Sequence, residues 1–230
     1  MMSLLVDIHT HNIYSKENKV VNLISLMTGE PIPLHTKNCF FSYGIHPWQL
    51  ETQKKDALIA VFEQEIASNV FVAIGETGID KARKISLELQ TEVFEYQIHI
   101  AKQKQLPVIL HVVKAIDEIV QSVSKIKPNV PMILHAFNGT KEQIALLSKK
   151  GFYFSVGSAI NNPDSKIAIA LKTIPKDRLF FETDTNRQDI ALVYTKAAEL
   201  LNMPFETLQQ TVFENFKRCF PFAEIDFKML

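Results

Sequence analysis

Eight apolar runs of strand length, spread along 230 residues, constrain the fold of this chain more than any other feature. They are Leu4–Ile8, Val20–Leu26, Cys39–Tyr43, Val70–Ile74, Pro107–Leu110, Pro131–Leu134, Phe152–Val156 and Arg178–Phe181. Their apolar residues are continuous rather than alternating, which fits strands buried on both faces of a parallel sheet. Parallel strands need crossovers, and amphipathic helical patterns stand between most of the runs. These patterns occupy Asp56–Ser68 (Leu58, Ile59, Phe62, Ile66), Ser86–Gln105 (Leu89, Val93, Phe94, Ile98, Ala101), Ala115–Lys125, Lys141–Lys150, Ser165–Thr173 and Asp189–Leu201. A last helix is expected near Phe205–Phe216. Strands alternating with helices in this number point to a (β/α)8 TIM-type barrel. Two connections break the pattern. Asn12–Lys19 is polar and too short for a helix, and Thr28–Asn38 holds two prolines and a glycine. The first two helices are therefore expected to be missing, and the barrel to be distorted or partly open.

Composition bounds the rest. A hydrophobic content of 47% suffices for one substantial core, and no repeat or linker supports a boundary, so a single hydrolase domain over residues 1–230 is expected. Lys+Arg and Asp+Glu stand at 25 each, so any polyanion must be held by a local patch. The two cysteines, Cys39 and Cys219, form no Cys-x-x-Cys pattern and argue against a thiolate zinc site. The start of the chain lacks a signal-peptide pattern, and no apolar stretch approaches transmembrane length. A soluble cytoplasmic protein is expected, with no membrane association and no obligate protein partner.

In such barrels the active site gathers at the C-terminal ends of the strands. His9 and His11, in Asp7-Ile8-His9-Thr10-His11, end the first run. Two residues at i and i+2 of a strand project to one side, roughly 7 Å apart along it, and can close on one divalent cation. His46 follows the third run, Glu76 ends the fourth, His111 the fifth, His135 the sixth and Asp184 the eighth. Five of seven histidines thus fall at one rim, with only His35 in a loop and His99 in a helix, a distribution that scattered structural histidines would not choose. Imidazoles and carboxylates suit Zn, Mn, Co or Ni, or Mg where carboxylates dominate. His9, His11 and Asp184 could hold one ion, His111 and His135 a second, and Glu76 could bridge both. Two ions roughly 3.5–4 Å apart activate a water and clamp phosphate oxygens. In this reading Glu76 and Asp184 are the catalytic carboxylates; the alternatives are a turn cap for Glu76 and a helix cap for Asp184. Glu182 reads as a buried partner one layer deeper.

Other residues have two readings each. His46 reaches the substrate or a water at the site, or shapes a turn beside Pro47. Asp80 orients a ligating histidine or makes a loop salt bridge. Lys81, Arg83 and Lys84, together with Lys114 and Arg187, form a solvated face or meet phosphates. Trp48 and Phe137 stack a base or pack, with packing the simpler role for Phe137.

Taken together these motifs resemble the TatD-like metal-dependent nucleases of the amidohydrolase superfamily. Asp7–His11 resembles that family's Asp-x-His-x-His, Gly44–Pro47 its Gly-x-His-Pro, and Gly75–Asp80 its Gly-Glu-x-Gly-x-Asp. Leu106–His111, His135–Gly139, Glu182–Asp184 and the tail Asn215-Phe216-x-Arg218-x-Phe220 match its later motifs in order. The resemblance implies that His9, His11, Glu76, His111, His135 and Asp184 ligate two divalent ions in a deoxyribonuclease acting on nucleic acid or a small phosphodiester. Two features depart from it. The arginine two residues after the fifth-strand histidine is Val113, followed by Lys114, and the proline-containing loop after the final aspartate is shortened. Two other readings stand beside the nuclease. One is a hydrolase of a small amide or ester, for which a carboxylated lysine would be expected where Glu76 stands. The other is a metal-binding relative with little catalysis left.

Overall fold

The computed structural model describes residues 4–12, 19–33, 38–68 and 70–221. His35 and most of the first expected loop, 13–18, lie outside the described residues, as do 34–37 of the second. The strands are β1 (Leu5–Thr10), β2 (Val20–Met27), β3 (Cys39–Gly44), β4 (Phe71–Asp80), β5 (Val108–Val113), β6 (Met132–Leu134), β7 (Tyr153–Val156) and β8 (Leu179–Phe181). The helices are α1 (Lys55–Ile66), α2 (Leu87–Lys104), α3 (Ile116–Ile126), α4 (Lys141–Lys149), α5 (Lys166–Ala170), α6 (Ile190–Leu201) and α7 (Phe205–Cys219). The sheet runs β1 to β8 in sequence order, and Thr10 bridges Asp184 beyond β8. This is the (β/α)8 arrangement that the apolar runs predict. Among the described residues no helix separates β1, β2 and β3, as the two irregular connections require.

The chain divides into two compact units. The first comprises Met1–Ile24, His35–Phe40 and His135–Leu230. Here β1 pairs in parallel with β2, and β7 with β8. Tyr194 of α6 is fully buried, and its hydroxyl accepts from Val6 N at 3.1 Å and donates to Val6 O at 3.0 Å, fixing β1 one residue before the Asp7 motif. Asn215 of α7 donates to the carbonyls of Lys176 (2.8 Å) and Leu179 (2.9 Å), and Arg218 to that of Asp177 (3.0 Å). The Asn215–Arg218 tail therefore anchors the start of β8.

The second unit comprises Ser25–Leu34 and Phe41–Leu134. Its core stacks Tyr43 on Phe71, with ring centroids 4.6 Å apart, and on Phe62 at 6.0 Å. Helix α2 begins where Ser86 accepts from Leu89 N and ends where Gln105 turns left-handed, at φ +55°. The strand β4 differs most from expectation: the apolar run stops at Ile74, but the strand continues to Asp80. Gly75 and Gly78 make this possible. Their φ values, +145° and +153°, are open to glycine alone, and a Cβ on either would overlap the carbonyl oxygen of Ile109 or His111 in β5. The register shifts between Ile74 and Thr77, a bulge that sets the direction of Glu76. Glu76 and His111 thus lie inside their strands rather than at the ends.

Candidate metal centre

In the first unit β1 presents His9, fully buried, and His11 follows directly after the strand, about a quarter exposed. Their Nε2 atoms lie 3.6 and 3.7 Å from a single oxygen of Asp184. Asp184 is placed there by backbone pairing: its N–H donates to His9 O at 3.0 Å, and His11 N–H donates to Asp184 O at 3.1 Å. It adopts φ +53°, a conformation aspartate tolerates better than most residues. Behind it, Asp7 accepts from the Thr183 amide (3.0 Å) and hydroxyl (2.6 Å), and that hydroxyl lies 3.0 Å from the Thr10 hydroxyl. Burial pushes the Asp7 carboxyl up to about 7, against the pull of the Thr183 bonds. The His135 ring lies 4.4 Å from that of His9, and its Nδ1 is 3.6 Å from Glu182. Glu182 itself accepts from Ala136 N at 2.7 Å, as befits a buried partner.

In the second unit His46 caps the turn Pro47–Glu51: its Nδ1 accepts from Trp48 N at 3.2 Å, and its N–H is answered by Gln49. An accepting Nδ1 leaves the proton on Nε2, which faces Glu76 at 3.3 Å. The turn reading of His46 holds through Nδ1, and Nε2 faces Glu76, a contact the sequence did not suggest. His111 has a carboxylate at each nitrogen, Glu76 at 2.8 Å from Nδ1 and Asp80 at 3.3 Å from Nε2. Asp80 also accepts from the Trp48 indole (2.7 Å) and Ala82 N (2.9 Å). Burial opposes its charge, but the bonds from Trp48, Ala82 and His111 outweigh it and hold the carboxyl below the usual range. Asp80 therefore orients a histidine rather than closing a loop salt bridge.

Two buried glutamines support this site, and both escape sequence reasoning. Gln97 accepts from Ile45 N at 2.8 Å and donates to Ile45 O at 3.0 Å and Thr77 Oγ1, holding the chain one residue before His46. Gln90 accepts from Asp80 N at 2.7 Å and donates to Asp80 O at 3.2 Å. Their spacing of seven places both on the apolar face of α2 beside Val93, Phe94, Ile98 and Ala101. A polar pair on a buried stripe is the signal that marks them.

The surrounding cations divide. Lys81 pairs with Glu118 at 2.7 Å, whereas the Arg83 guanidinium lies over Trp48, 4.1 Å from its centroid. Lys84, Lys114 and Arg187 are exposed. Phe137 is buried and packs on Phe154, the simpler of its two roles.

Both donor sets suit a divalent ion. Four donors at about 2.1 Å around a tetrahedral ion stand ~3.4 Å from one another, close to the 3.6 and 3.7 Å of the His9–His11–Asp184 group. In the second unit His111 meets a carboxylate through each nitrogen, and either nitrogen can release its proton to an ion while the other is held. The ligand atoms of His46, Glu76 and His111 lie within 4.8 Å of one another, a group that could hold an ion.

A family model described as TatD related DNase matches residues 25–221. The chain belongs to this family. The protein named "Uncharacterized metal-dependent hydrolase YabD" of Bacillus subtilis is 32% identical over 79% of this chain and 77% of its own length. A protein of Citrobacter rodentium named 3'-5' ssDNA/RNA exonuclease TatD is 27% identical over 71% of this chain, which spans 63% of that relative's length. The crystal structure of the TatD homologue YjjV from Escherichia coli superposes with a TM-score of 0.81, covering 96% of this chain and 99% of that one at 20% identity, and shows the shared fold. Among the described residues no helix is long and apolar enough to cross a membrane.

Proposed function

We propose that this chain is a metal-dependent phosphodiesterase that removes nucleotides from single-stranded or frayed nucleic acid ends. His9, His11, Glu76, His111, His135 and Asp184 would hold two divalent ions of the Mg, Mn, Zn, Co or Ni class. When bound, such ions polarise a phosphoryl oxygen and make water nucleophilic at neutral pH. The chain's own residues do the rest. Asp80 holds the His111 ring through Nε2 and would take that proton when Nδ1 serves an ion, and His46 steadies Glu76 through Nε2. Asp184, a third exposed, is the carboxylate open to solvent in its group and takes the proton of the attacking water.

The observation that carries this reading is the pair of metal-ligating groups, His9–His11–Asp184 and His46–Glu76–His111. The exonuclease name of the Citrobacter relative supports nucleic acid as the substrate class. The zero net charge and the few exposed cations of the site imply a weak grip. Two or three neutralised phosphates give a log-affinity slope against log salt of roughly −1.5 to −2 on a single strand. The test is manganese-reconstituted protein assayed on bis(p-nitrophenyl) phosphate, single-stranded DNA and RNA, duplex DNA and a panel of small amides. Phosphodiester cleavage that favours single strands and short ends is expected. Brisk amide hydrolysis without phosphodiester cleavage, or tight duplex binding with steep salt dependence, would overturn it.

A further inference from the structure

Arg83 stands three residues beyond the end of β4, in an exposed run with Lys81 and Lys84. Its guanidinium carbon lies over the Trp48 ring, 4.1 Å from the centroid, a cation–π contact. Trp48 is unusual for so large a side chain, being 43% exposed and yet fixed on three sides. Its amide donates to His46 Nδ1 at 3.2 Å, and its indole N–H donates to Asp80 at 2.7 Å. Its ring meets those of His46 and His111 edge-on, at 4.8 and 5.7 Å. Packing alone gives no reason to keep such a ring at the surface beside the donor cluster.

The ring does explain where the cation sits. A guanidinium anchored over a ring still offers a planar fork of N–H donors that matches two phosphate oxygens. The carboxylate it meets, Glu51, is 3.9 Å away, too far for a hydrogen bond. Lys81 differs, because a 2.7 Å contact with Glu118 occupies its ammonium. The cation also sits over the indole face, which favours a phosphate on the cation over a base on the ring.

We propose that Arg83, oriented by Trp48, grips a backbone phosphate of single-stranded nucleic acid next to the His46–Glu76–His111 cluster, with Trp48 as its positioning residue. The ligand class rests on the phosphodiesterase reading above. A strand of several phosphates is then held better than a lone diester, and Glu51 is the anion that the phosphate displaces.

The test is fluorescence anisotropy of a labelled, nuclease-resistant phosphorothioate octathymidylate on the metal-loaded full chain, titrated over a range of salt. Arg83→Ala should weaken binding about tenfold, the scale of one hydrogen bond to a charged group. It should also make the log–log salt slope shallower by about 0.7, the share of one phosphate on a single strand. Arg83→Lys and Trp48→Leu should keep the slope, since the charge remains, but bind several-fold more weakly. Glu51→Gln should bind more tightly than the unaltered chain. Thermal unfolding of each variant separates loss of grip from loss of fold. Unchanged affinity and slope in Arg83→Ala would overturn the inference while strand cleavage by the unaltered chain left the enzymatic reading intact. Binding that depends on Arg83 in a chain that cleaves no phosphodiester would sustain the inference and defeat the enzymatic reading. Failure of the unaltered chain to bind the strand, or full affinity in Arg83→Lys, would overturn the inference.

Discussion

Removing the Asp80 carboxylate should loosen the metal without loosening the fold. Asp80 receives three donors: the Trp48 indole at 2.7 Å, Ala82 N at 2.9 Å and His111 Nε2 at 3.3 Å. In Asp80→Ala the first two lose little, because Trp48 and Ala82 are exposed and water can replace the acceptor. His111 is buried and loses the carboxylate that holds its Nε2 and its ring angle. Outer partners of this kind are worth about 10- to 100-fold in metal affinity, or roughly 1.4–2.7 kcal/mol. The 3.3 Å separation lies at the long end for a hydrogen bond, which places the expected loss near the lower bound, about tenfold. Asp80→Asn should lose less than Asp80→Ala, since a carbonyl oxygen can still take the His111 proton. Isothermal titration of the metal-free proteins with manganese measures the affinities, and thermal unfolding without metal measures the fold. Wild-type affinity in Asp80→Ala would refute the reasoning, and so would a loss that merely follows a fall in metal-free stability.

Asp184→Asn should lower kcat on a phosphodiester at least about 10²-fold with little change in KM, as when a general base is removed. Steady-state kinetics check this, and near-normal turnover would move the proton to another residue, with His46 first. Gln97→Leu should destabilise the fold by about 3 kcal/mol in urea unfolding, because it leaves the N–H and C=O of Ile45 and the Thr77 hydroxyl without the amide that answers them. Burial pushes the Cys219 thiol up to about 11, above the ordinary thiol range. The folded form therefore holds its proton more tightly than the unfolded form. That stability is full below about pH 9 and is lost as pH rises toward 11, and Cys219→Ala should flatten this alkaline slope in unfolding curves taken between those values.

Local pattern reveals whatever depends on local burial. Continuous apolar runs locate all eight strands because both faces of each are covered, and α2 begins at Ser86 as its cap predicts. The His9–His11 spacing is legible for the same reason, since a strand sends alternate side chains to one side. The length of β4 is less so. Gly75 and Gly78 read as a break, but their freedom lets the strand bulge and run on beside β5. The helpers of the site are the least legible. Gln97 reaches Ile45, 52 positions away, and Tyr194 reaches Val6 across 188. Bonds from a side chain to a distant backbone leave no periodic trace. The pairing of Lys81 with Glu118 and the placement of Arg83 over Trp48 belong to the same class, so one charged run hides two different roles.

The most direct test of the metal centre counts ions per chain. Elemental analysis of manganese-saturated protein should give two per chain. It should give about one in the double variant His9→Ala/His11→Ala and about one in His111→Ala, each with the other set intact. No more than trace metal in the unaltered chain after reconstitution, or counts that stay the same in these variants, would contradict the assignment.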